Sequence, residues 1–150
     1  MSLKKAFGTD KAAIENGAWI DICTNEDGSL CRFRVKRTNQ QNREFTKAMT
    51  THSKMYEGQS LSAHALKQAE NAMIRVIADT VLVDWENVVE YRTEFTGFPT
   101  EDGKPPMMEY NRDNVVFILT DLPDLVELIL KKAGERSTFE IEQEVADEKK

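Results

Sequence analysis

Between residues 65 and 81, Ala65, Leu66, Ala69, Ala72, Met73, Val76, Ile77, Thr80 and Val81 recur at steps of three and four. That spacing places one continuous stripe on a helix of 3.6 residues per turn and fits no strand. It predicts a helix that opens at Ser60 and runs to about Val83. The alanines in the stripe call for close packing against a neighbour. The segment after the helix constrains the chain further. Trp85 stands directly behind the helix end, as a structural lock for the core, and residues 85–91 fit either a strand or a helix end. Residues 92–110 hold Gly97, Pro99, Gly103, Pro105 and Pro106, which interrupt regular structure and predict a long loop.

Upstream, two short segments alternate in the period of a strand. Residues 18–24 and 30–37 flank Asn25-Glu26-Asp27-Gly28, a turn sequence in which the Asx side chains favour tight turns and Gly28 accepts a positive φ. A four-residue loop sets Ile22 opposite Cys31, Ile20 opposite Phe33 and Ala18 opposite Val35, all on one apolar face. The other face then pairs Asp21 with Arg32 and Trp19 with Arg34, as a charge pair and a cation–π pair. A slip of one residue would mix the faces. In this register Cys23 and Cys31 point to opposite faces, which disfavours a disulfide between them.

Thr38 or Asn39 is placed to cap the next helix, along which Phe45, Ala48, Met49, His52, Met55 and Tyr56 recur up to Gly58. After the loop, Asn111 or Asp113 caps a helix with Val115, Val116, Ile118 and Leu119. A restart at Asp121 has Pro123 in its first turn and Asp124 favourably near the positive end of the helix dipole. Ser137-Thr138-Phe139-Glu140 resembles a capping box. The fold expected is mainly α: a single helical domain with an N-terminal β-hairpin over residues 17–133. A flexible lead-in at 1–16 precedes it, and an acidic, frayed tail at 134–150 comes after it.

The chain has 150 residues, enough to bury a core without disulfides or metals, and a formal net charge of −6. That charge argues against a general binder of nucleic acid or anionic membrane. No run of about 18 apolar residues is present to span a bilayer, and no secretory signal is expected. The spacing of Cys23 and Cys31 matches no zinc pattern, and the simple reading is a reducing, cytoplasmic compartment. Two histidines, His52 and His64, form no ligand cluster with cysteine or carboxylate, so no metal and no cofactor is expected. Nucleotide-binding and nucleophile motifs are absent, and the acidic residues are too scattered to pair as acid and base. An enzyme is not expected. Arg32, Arg34, Lys36, Arg37 and Arg43 form either a phosphate-tracking stripe or the solvated face of a strand. Phe95, Phe98, Met107 and Met108 make the long loop apolar. They either fold back onto the core or form a partner-binding or self-association surface.

The layout as a whole resembles a known family. A Gly-x-Trp strand leads into a hairpin whose second strand ends in Lys36-Arg37. The middle helix ends in Ile77-Ala78-Asp79-Thr80-Val81-Leu82-Val83-Asp84-Trp85-Glu86-Asn87-Val88. Asp102-Gly103-Lys104-Pro105 comes before Tyr110-Asn111-Arg112-Asp113-Asn114, and an apolar helix is interrupted by Leu122-Pro123-Asp124-Leu125. This arrangement, over most of residues 17–133, is similar to the tail assembly chaperones of long-tailed bacteriophages. The chain departs from them in a longer link, residues 90–100. The resemblance implies a non-enzymatic protein of the infected bacterial cytoplasm, absent from the finished virion. It would bind the coiled-coil-prone tape measure protein, keep it soluble and help recruit tail tube subunits. Self-association would fit the same family. Two other classes compete: a structural tail completion or connector subunit of the virion, and a small nucleic-acid-binding regulator using the Arg32/Arg34/Lys36/Arg37 face.

Overall fold

The alternating segments form the expected hairpin. In the computed structural model, which describes residues 2–58, 62–92 and 105–140, strands β1 (Ala18–Thr24) and β2 (Leu30–Val35) pair antiparallel. Ala18 meets Val35, Trp19 meets Arg34, Ile20 meets Phe33 and Asp21 meets Arg32, as the pattern requires. Beyond Asp21 the register shifts. Ile22 is an extra residue on β1, a bulge, so Cys23 and not Ile22 lies opposite Cys31. The expectation that the two cysteines face apart is therefore overturned, because one inserted residue moves every later side chain to the other face.

A third strand, β3 (Leu82–Glu86), pairs antiparallel with the other edge of β2. It sets Phe33 opposite Trp85, Arg34 opposite Asp84 and Arg32 opposite Glu86. A second bulge at Val83 shifts the register so that Leu82 meets Val35. The mainly α expectation is thus corrected: six α-helices and a three-stranded antiparallel sheet make a mixed α/β fold among the described residues. The long helix stops at Thr80, short of Val83. Val81 caps it, and Tyr110 donates its hydroxyl proton to the Leu82 carbonyl at 2.7 Å.

Two short helices, α1 (Leu3–Phe7) and α2 (Lys11–Asn16), precede the sheet. Asp10 caps α2 by accepting from the Ala12 and Ala13 amides, and Ala13 and Ile14 pack on the core. The lead-in is therefore partly built into the domain. Gly17, at φ 95°, turns the chain into β1. A Cβ there would meet the Val83 side chain at 3.0 Å and the Val35 carbonyl oxygen at 3.1 Å, so both conformation and space require glycine.

Helix α3 (Arg43–Tyr56) is capped by Asn42, not by Thr38 or Asn39. The Asn39 side chain instead closes a turn by accepting from the Gln41 amide. Helix α4 (Ala63–Thr80) is capped by Ser62 and returns along α3. Asn42 also donates to the carbonyl of Thr80 at 2.7 Å, tying the start of α3 to the end of α4. Helix α5 (Arg112–Asp121) is capped by Asn111, and α6 (Pro123–Gly134) begins with Pro123 in its first turn. A 3-10 helix (Arg136–Phe139) comes next and leaves Phe139 fully buried. This part contacts the start of the chain: the amide of Asp10 donates to the Phe139 carbonyl, and Thr9 bridges Glu140.

The core gathers the inner face of the sheet (Ile20, Cys31, Phe33, Val35, Leu82, Trp85), Ile77 and Val81 at the end of α4, Val115, Ile118 and Leu119 of α5, Ile129 and Ala133 of α6, and Phe139. The outer face of the sheet carries Trp19, Asp21, Arg32, Arg34, Asp84 and Glu86. No residue of α3, and none in the first four turns of α4, is buried; the buried residues of α4 start at Ile77.

Candidate apolar groove

Trp85 occupies the centre of the aromatic cluster. Its ring stacks on Phe33 with centroids 5.7 Å apart and meets Tyr110 edge-on at 5.4 Å. Its indole N–H donates to the Met108 carbonyl at 2.9 Å. The chain after Trp85 turns at Asn87, whose φ is +58°. The Asn87 side chain donates to the Leu30 carbonyl, while Asn25 donates to the Asn87 carbonyl. Residues 88–90 then pair with 106–108: Met108 donates to Val88 at 2.6 Å and Glu90 donates to Pro106 at 2.9 Å.

This pairing separates the apolar loop residues. Met108 is 4% exposed and belongs to the core, which removes it from any partner surface. Met107, its neighbour on the opposite side of the extended backbone, is 41% exposed and bridges Val89. Phe95 and Phe98 lie outside the described residues. Beside the pairing, Tyr91 donates to Asp121 at 2.9 Å and lies 6.0 Å from the Phe117 ring, over which Arg92 also sits. Partial burial and the Asp121 carboxylate push the Tyr91 hydroxyl up to about 12.

Within the basic set, Arg32 is charge-paired, Arg34 donates to the Gly17 carbonyl and Arg37 donates to Gln41. Arg32 lies 3.3 Å from both Asp21 and Glu86, and Arg32 and Arg34 sit over the Trp19 ring. Tracking phosphates would require Arg32 to give up these partners. His52 packs against the Tyr56 ring, and His64 is exposed at the start of α4. Among the described residues no group of three or more metal-ligating side chains converges, and no helix is long and apolar enough to cross a membrane.

Among the described residues, an apolar groove of about 360 Å³ lies between α4, α5 and α6. Its apolar walls are Met73, Ile74, Leu119 and Val126, and Lys67 and Glu70 stand along the α4 side. Three local choices build it. The α4 stripe is wide enough that Ile74 flanks Met73 without entering the core. The Leu122-Pro123 step ends α5 and starts α6 through a non-helical Leu122, and proline suits the first turn of the new helix. Arg112 of α5 clamps Asp79 of α4 through Nε at 2.7 Å and Nη2 at 3.2 Å, fixing one end of the gap. The residue pattern alone does not reveal this groove. Ile74 and Val126 stand one position off the stripes that mark the core, and that displacement was the available signal.

No curated protein and no solved structure matches the chain. A family model described as YdaY prophage protein matches residues 35–150, from the last residue of β2 to the end of the chain. The match speaks to phage origin and carries no information about tail assembly. The protein is phage-derived, and the chain belongs to the YdaY prophage protein family.

Proposed function

We propose that the protein is a non-enzymatic tail assembly chaperone of the host bacterial cytoplasm that holds a helical segment of the tape measure protein and keeps it soluble until tube subunits arrive. Phage origin and the resemblance in layout support this reading. The observation that carries it is the groove between α4, α5 and α6, lined by Met73, Ile74, Leu119 and Val126. An amphipathic helix buries its apolar stripe by laying it into such a groove. Methionine suits that wall because its unbranched thioether adapts to varied partners. Lys67 and Glu70 are opposite charges one turn apart on α4, and they would meet the polar flanks of the guest helix. Holding a chain soluble requires binding and no chemistry.

Co-expression with the tape measure protein tests the proposal. The intact chain should move that protein into the soluble fraction and co-purify with it. Thr120→Arg places a long charged side chain across the groove from an exposed position, and it should abolish co-purification with an unchanged thermal midpoint. Wild-type binding undiminished by Thr120→Arg would remove the groove from the reading. Finding the chain in stoichiometric amount in purified virions would replace the chaperone with a structural subunit.

A further inference from the structure

We propose that Cys23 and Cys31 are a redox modification site, closing a reversible intrachain disulfide across β1 and β2. This rests on the hairpin alone and is independent of the chaperone reading. The bulge at Ile22 makes the two cysteines directly opposed partners in the antiparallel ladder. Opposed residues in such a ladder have Cα atoms about 4.5–5.5 Å apart and side chains on one face, within the range a disulfide spans. Both cysteines are free.

Their environments differ in a way that orders the steps. Cys23 is exposed near the end of β1, whereas Cys31 is buried in the core. Burial, reinforced by the neighbouring Cys23 sulfur, pushes the Cys31 thiol up to about 12. Cys23 is therefore the only one of the pair that a soluble oxidant reaches, and it is the one that attacks. The oxidant is a small-molecule disulfide of the glutathione type. The Cys23 thiolate, its proton lost to solvent, attacks one sulfur of that disulfide and expels the other as a thiolate, leaving a mixed disulfide on Cys23. Cys31 then attacks the Cys23 sulfur. The second small thiol leaves and takes up the Cys31 proton. Two protein thiols are oxidised by two electrons, and one small disulfide is reduced to two thiols.

The bond would pin the hairpin at the end that carries its turn. That turn already holds the chain beyond β3 through the Asn25 bond to Asn87, so oxidation would stiffen the approach to the 88–90 and 106–108 pairing. Treating the full-length chain with mixtures of oxidised and reduced glutathione tests the site, read by thiol alkylation and intact and peptide mass. The expected product has lost two hydrogens, links the peptides of Cys23 and Cys31, and reverts with dithiothreitol. Cys31→Ser should trap a glutathione adduct on Cys23, and Cys23→Ser should leave Cys31 unmodified in the folded chain. A wild-type chain that accumulates the adduct, dimerises through Cys23, or keeps both thiols alkylatable under oxidising mixtures would overturn the proposal.

Discussion

Trp85 joins parts of the chain that are far apart in sequence. Its ring lies between Phe33 and Tyr110, and its N–H reaches the carbonyl of Met108. The two contributions can be separated by substitution. Trp85→Phe keeps a ring against Phe33 and removes the donor, leaving a buried carbonyl without that bond, at a cost of about 1–3 kcal/mol. Trp85→Ala also empties the core of its largest ring and should cost roughly 3–5 kcal/mol. Urea denaturation of the two variants checks the order, and equal losses would place the ring outside the core. The role of Trp85 is legible in the sequence, because a tryptophan directly after an apolar helix has few places to go except inward. Met108 is not legible in the same way. Its burial comes from main-chain bonds between residues 106–108 and 88–90, and no local pattern records a partner across the intervening segment. Met107 and Met108 read alike in sequence, and only the extended backbone assigns one to solvent and the other to the core.

At the scale of elements, the strand that sequence periodicity missed is the instructive one. The inward residues of β3 are Leu82 and Trp85, three apart, because Val83 bulges out of register. Strict alternation is what identifies a strand, and the bulge removed it. Thr80 and Val81 also continue the helical stripe in phase, so periodicity extended the helix across a boundary that hydrogen bonding sets. The hairpin register was readable up to Asp21, where alternation is unbroken, and failed at the Ile22 bulge for the same reason. Bulges thus account for both the missing strand and the misplaced cysteines. The α3–α4 pair depends on a single side chain at its base. Asn42 is 7% exposed; it accepts from the Phe45 amide as the cap of α3 and donates to the Thr80 carbonyl at the end of α4. Asn42→Ala removes both bonds and should cost on the order of 2–4 kcal/mol. Asn42→Asp keeps the cap acceptor and loses only the donor, so it should retain part of that stability in thermal melts. An Ala variant no less stable than the Asp variant would show that the cap contributes nothing.

At the scale of the molecule, the two ends of the described chain close on each other, and this joins regions that composition divides. The family match starts at residue 35, which leaves β1 and nearly all of β2 outside it, yet those strands supply Ile20, Cys31 and Phe33 to the same core as the matched helices. The unmatched hairpin and the matched remainder therefore fold as one unit. Phe139 is the residue on which that unit closes. It is fully buried, its carbonyl accepts from the Asp10 amide, and Arg37 lies over its ring at 6.0 Å. Little in the residue pattern announces this, since one phenylalanine among polar residues in a 3-10 helix of four residues has no period to read. If residues 134–140 were only a frayed extension, Phe139→Ala would leave the unfolding midpoint where it is. The packing requires instead a loss of roughly 3–5 kcal/mol, as for any large buried aromatic truncated to alanine. Hydrogen exchange separates a local effect from a global one. Because α2, β1 and α6 all converge near this ring, the variant should lose protection at the Asp10 amide and also at the Thr38 amide, which donates to Ala133. Loss confined to residues 136–140 would mean that the two ends are stapled to the domain without supporting it.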